Sequence, residues 1–188
     1  MSKPTEKNVT DAQQSRAFAA WYGLWVGVLW VASFGLTVWG LTTPVVGNFA
    51  LLVGLASLPL AVWMLRGFRE VVAPLPLRRA WYMAWMMFLC AALLTTAAQF
   101  VYFAYFDEGR IAVAYSGIIA QPEMHDMLQR MMPGQDVDAL ANEAITAFNE
   151  TPPSQLAIQF LFWNVLLATI FAIPTAFLSF KKTPDAKQ

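Results

Sequence analysis

Four long apolar runs, separated by polar stretches, divide the chain: 17–41, 49–66, 80–106 and 155–180. A helix rises about 1.5 Å per residue, so runs of about 20 residues cross a hydrocarbon core roughly 30 Å thick. Inside lipid the backbone must satisfy its own hydrogen bonds, so these runs are expected to be helices. The first is too long for the apolar region of a signal peptide, and no small-residue cleavage pattern follows it. Residues 42–48 form a turn short enough to make spans one and two antiparallel neighbours. Pro59 interrupts the second run, where its ring displaces the carbonyl of Leu55, so a kink is expected there. Pro174 lies near the end of the fourth run.

Within each run the small residues recur at near-helical spacing. They are Ala19, Gly23, Gly27 and Gly35 in span one, and Gly54, Ser57 and Ala61 in span two. Span three contributes Ala80, Ala84, Ala91, Thr95 and Gln99, and span four Asn164, Ala168, Ala172, Thr175 and Ser179. Helices in membranes associate through such close-packing faces, so these sets are read as the inward faces of a four-helix bundle. The same Gly23 and Gly27 spacing also suits a dimerisation face, the weaker reading. Gln99 and Asn164 are the most polar deep positions, and their depths differ by roughly 3 Å. They are expected to hydrogen-bond across the bundle, as glue or as the lining of a polar site.

The polar stretch 107–153 is the only long one between runs. Its residues 111–120 are fairly apolar and suit an interfacial or folded-back segment. Pro122 suits the first turn of a helix carrying Met124, Met127, Leu128 and Met131, which Pro133-Gly134 ends. Asp136 is a natural N-cap for a second helix with Val137, Leu140, Ala141, Ala144 and Phe148 on one face. Two amphipathic helices are therefore expected to form a small cap with their apolar faces resting on the bundle or the membrane surface.

Charge then orients the layout. Of the 12 basic residues, all but Arg110 and Arg130 lie in the N-terminal tail, the connector 66–79 or the C-terminus. The cap carries Asp107, Glu108, Glu123, Asp126, Asp136, Asp138, Glu143 and Glu150. The positive-inside rule accordingly places both termini in the cytoplasm and the acidic cap outside. Trp21, Tyr22, Trp81 and Tyr82 mark the inner interface, and Trp39, Tyr102 and Tyr105 the outer one. The expected organisation is a flexible cytoplasmic tail 1–16, one membrane domain 17–182 and a second cytoplasmic tail 183–188.

Composition agrees: 58% of residues are apolar, 13% are charged, and the mean hydropathy is +0.49. Soluble domains average about 25% charged residues. The single cysteine, Cys90, allows no internal disulfide. Met124, Met127 and Met131 with His125 and Met132 invite a Cu(I) reading, because thioethers and imidazole are soft ligands. His125 points away from the centre of that stripe, and methionine commonly fills adaptable apolar contacts, so no metal is expected. No nucleophile and base can be paired, no phosphate-binding glycine loop occurs, and, apart from the Arg66 that closes the second run, no span contains an acid, a base or a histidine. No cofactor, catalytic residue or nucleic-acid partner is expected.

The sequence also resembles a known family. The features are the connector Leu65-Arg66-Gly67-Phe68-Arg69-Glu70, a third span ending Tyr102-Phe103-Ala104-Tyr105-Phe106-Asp107, the outer helical segment, and a fourth span closing on Phe180-Lys181-Lys182. Together they resemble the bacterial four-span membrane proteins known as domain of unknown function 4199. The outer helices are less charged than that pattern implies, and 107–120 is longer. The resemblance implies a multi-pass protein of the bacterial cytoplasmic membrane and brings no activity or site residue with it. The leading expectation is a non-enzymatic subunit that contacts the lipid bilayer and a membrane-protein partner. The alternative is a small permease or transporter subunit with a polar site near Gln99 and Asn164, favoured by helices broken at proline.

Overall fold

The computed structural model describes residues 4–71 and 75–180. Among these, eight helices and no strands occur: α1 (Pro4–Gly40), α2 (Pro44–Leu55), α3 (Ser57–Val71), α4 (Leu77–Tyr105), α5 (Arg110–Ile119), α6 (Pro122–Met131), α7 (Val137–Glu150) and α8 (Pro153–Ser179). Four stretches are long and apolar enough to cross a membrane: Gln13–Gly40, Val45–Glu70, Leu77–Tyr105 and Pro153–Ser179. The protein is an all-α, four-helix transmembrane bundle. The helix of span one reaches back to Pro4, so residues 4–16, expected as a flexible tail, are helical and continuous with it. The C-terminal tail 183–188 and Pro74 lie outside the described residues.

α4 is the central element, packed along both α1 and α8. Small side chains make that possible. A Cβ built on Gly23 would stand 2.6 Å from the Met87 carbonyl oxygen and from the Cys90 Cβ, and one on Gly27 would stand 3.2 Å from the Ala91 Cα. Only glycine lets the two backbones approach this closely. On the other flank Ala168 and Ala172 of α8 are fully buried. Trp85 Nε1 also donates to Thr169 Oγ1 at 3.3 Å, tying α4 to α8.

Gly35 departs from the expected inward face: it is exposed, and nothing lies within 4 Å of a Cβ built there. At 3.6 residues per turn each step of four drifts about 40° around the helix, so the drift from Ala19 accumulates to about 160° by Gly35 and carries it off the face that Gly23 and Gly27 occupy.

Span two is two helices rather than one. Pro59 has no N–H to donate to the Leu55 carbonyl, and α2 ends at that residue. Ser57 Oγ donates to the Gly54 carbonyl at 2.6 Å and accepts from Trp30 Nε1 at 3.1 Å, fixing the break against α1. Beyond it the halves take different neighbours. α3 packs on α8 as well as α1, whereas α2 packs chiefly on α1. Pro174, by contrast, sits inside a continuous α8.

The basic end of the bundle has its own clamp. Arg66 donates through Nε and Nη2 to the Leu178 carbonyl at 3.1 and 3.0 Å, and Arg69 Nη1 donates to the Ser179 carbonyl at 3.2 Å. These carbonyls end α8, where the helix dipole is negative and intrahelical donors have run out. Arg79 Nη2 donates to Ser15 Oγ at 2.6 Å and joins the starts of α4 and α1.

At the opposite end, α5, α6 and α7 form the cap. The chain reverses at Glu108 and Gly109, both with positive φ, and the Asp107 carboxylate accepts from the backbone N–H of Gly109 and Ile111 at 3.2 and 3.3 Å. Ile111 and Phe148 then pack with Phe103, Leu156 and Phe160 at the end of the bundle. Asp136 caps α7 through the Ala139 N–H at 3.1 Å. α6 packs on α5 and α7 rather than on the spans, and none of its residues is buried. Of the two places expected for its methionine stripe, the bundle is not the one it takes: Met127 and Met131 are exposed.

Candidate functional site

The polar centre lies in the half of the bundle nearer the cap. Thr95, Thr96 and Gln99 come from successive turns of α4, and Asn164 faces them from α8. Asn164 Nδ2 donates to Gln99 Oε1 at 2.9 Å and to Thr96 Oγ1 at 3.1 Å. The two residues singled out in the sequence are thus brought into direct contact. Gln99 is 5% and Asn164 8% exposed, so both amides are withdrawn from the surface. Thr95 turns its hydroxyl back to the Ala91 carbonyl of its own helix.

This cluster forms the floor of a cleft of about 390 Å³. Trp30, Ser33, Phe34 and Thr37 of α1 and Ala50, Leu51, Gly54 and Leu55 of α2 make two of its walls, and Leu167 and Phe171 of α8 another. Ser33 Oγ donates to the Ala50 carbonyl at 2.7 Å, so α2 is held to α1. The break at Leu55–Ser57 lets α3 close on α8 while α2 stays with α1, and the cleft lies where α2 and α8 part. None of its lining residues carries a charge.

Towards the basic end the cleft stops at aromatic rings. Trp30 stacks on Phe88 with centroids 5.9 Å apart, and Phe171 meets both edge-on at 6.1 and 5.8 Å. Below them Met83, Ala84, Met87 and Leu65 are fully buried. The site is a blind, uncharged recess with a hydrogen-bonding floor.

Sequence reading missed Thr96 and Trp30 as partners in this region. Thr96 lies one turn before Gln99, a spacing that places both on one face, so its signal was present. The Trp30–Ser57 bond has no such signal, because it depends on how two spans cross. In the cap, His125 Nε2 lies 3.4 Å from the Asp138 carboxylate of α7, and no cluster of three or more His, Cys, Asp or Glu residues suited to a metal occurs among the described residues.

Four apolar helices and an uncharged polar centre define an integral membrane protein of the multi-pass α-helical class. Residues 21–181 match the family described as protein of unknown function (DUF4199), and the chain belongs to that family. Comparison with curated proteins and with solved structures gave no match.

Proposed function

We propose that this chain is a non-enzymatic subunit of the bacterial cytoplasmic membrane that holds a membrane-protein partner through its cap, with both termini in the cytoplasm. The observation that carries this reading is α6, a helix that buries none of its residues yet exposes Met127 at 49% and Met131 at 69% beside Glu123 and Asp126. Apolar side chains left open on a polar element mark interaction surfaces, and methionine suits adaptable ones. The acidic surroundings favour a partner with basic residues around an apolar patch. The charge bias of the chain supports the orientation.

The permease alternative draws on the broken second span and the cleft beside it. Against it stands the ring cluster of Trp30, Phe88 and Phe171, which a solute would have to part.

Purification in mild detergent from the native membrane tests the choice. The reading expects one protein at fixed stoichiometry with the wild-type chain and its loss with Met127→Asp/Met131→Asp. A partner retained by that variant contradicts the cap as the contact. A chain that purifies alone and moves solute into liposomes contradicts the subunit reading altogether.

A further inference from the structure

We propose that the cleft between α2 and α8 holds one neutral single-chain lipid, with a hydroxyl of its head bonded to the amides of Gln99 and Asn164. The hydrogen-bond inventory leads there. Asn164 Nδ2 spends its two protons on Thr96 Oγ1 and Gln99 Oε1. Gln99 Nε2, with two N–H donors, and Asn164 Oδ1, an acceptor, have no partner among the described residues. Both side chains are more than nine-tenths buried and line the cleft. Reversing both amides leaves the same combination, one NH2 and one carbonyl oxygen. Unpaired amide groups in an apolar recess are costly, and a hydroxyl, which both donates and accepts, gives each of the two groups a partner at once.

Charge and size select the rest of the ligand. No charged residue lines the cleft, so an ionised head group would be desolvated without a counter-charge. The volume of about 390 Å³ falls in the range of small-molecule sites, about 300–1,000 Å³. Entry is from the bilayer, since Leu51, Leu55 and Leu167 on the walls are 68%, 44% and 43% exposed within a membrane span. A single acyl chain lying along these leucines would bring its head group to the amides.

The test uses the full chain in detergent, incubated separately with monooleoylglycerol, oleate and methyl oleate, and native mass spectrometry as the readout. Monooleoylglycerol is expected to give a saturable one-to-one adduct. Oleate, ionised at pH 8, and methyl oleate, which lacks a donor, are expected to bind about tenfold more weakly or not at all. Thr37→Phe fills the cleft from α1 without touching either amide, because the Thr37 hydroxyl bonds only to the Ser33 carbonyl of its own helix. It is expected to abolish the adduct. Gln99→Leu/Asn164→Leu is expected to erase the preference for monooleoylglycerol. Equal retention of all three lipids, no adduct at all, or an undiminished adduct in Thr37→Phe overturns the proposal. The head-group comparison is made on the wild-type chain and stands even where the double variant does not fold.

Discussion

Gly23 shows how much a single missing side chain decides. A Cβ there would press on the Met87 carbonyl oxygen, a backbone atom inside a helix that cannot step aside. Gly23→Leu is expected to push α1 off α4 and cost about 1–3 kcal/mol, read as a lower midpoint of unfolding in detergent. Gly35→Leu, into open space, should leave the midpoint unchanged. A similar loss in both variants would refute the close-packing account. The inward residues were largely legible in sequence: Ala19, Ala61, Ala80, Ala84, Ala91, Ala168, Ala172, Thr175 and Ser179 are all buried. What the residue pattern carried less well was phase over distance. Each step of four drifts about 40° around a helix, so a set that begins at Ala19 still faces inward at Gly27 and has left that face by Gly35. Gln99 and Asn164 were legible for a different reason, because polar amides deep in lipid need partners and few were available.

Among the elements, span two behaves least like a simple rod. Pro59 foretold a kink, and the structure interrupts the helix at Ala56, between α2 and α3, with its own hydrogen bonds at Ser57. The reason lies in Trp30, whose indole N–H needs an acceptor in an apolar interior and finds it at the broken turn. The loss of α2 from the face of α8 follows from that break, and it could not be read from composition. The arginines of α3 read in the sequence chiefly as orientation signals, with attraction to anionic lipid head groups second. Their pairing with the last carbonyls of α8 joins residues more than 100 positions apart, beyond the reach of local pattern. Arg66→Ala/Arg69→Ala is expected to free the end of α8, with faster hydrogen exchange at amides 176–180 and little change near Asn164. Helix-end interactions of this kind are worth about 0.3–1 kcal/mol at exposed positions, so the effect should stay local. Unchanged exchange at 176–180 would mean that the clamp contributes nothing. In the cap, α6 and α7 were legible through Pro122 and Asp136. α5 was left open, because its packing beneath α7 depends on Asp107 turning the chain at Glu108–Gly109.

For the whole molecule, the arrangement is a bundle sealed at one end and recessed at the other. Met83, Met87, Leu65 and alanines fill the half nearer the arginines, while the amides of Gln99 and Asn164 lie in the half beneath the cap. Arg66, Arg69 and Arg79 gather at the sealed end and the acids of 107–150 at the cap, so among the described residues fold and charge divide along the same axis. The number of spans was readable because lipid imposes length and apolarity on every helix that crosses it. The cleft was not, since it arises from how two halves of one span choose different neighbours. The cap as an outward-facing contact surface is the central claim. Its most direct test is a single cysteine at Gln129, on exposed α6, in a Cys90→Ala background, treated with a membrane-impermeant maleimide on intact bacterial cells. Labelling of intact cells, matched by no increase after lysis, is the expected result. Labelling that appears only once the cells are opened would place the acidic cap in the cytoplasm and contradict the account.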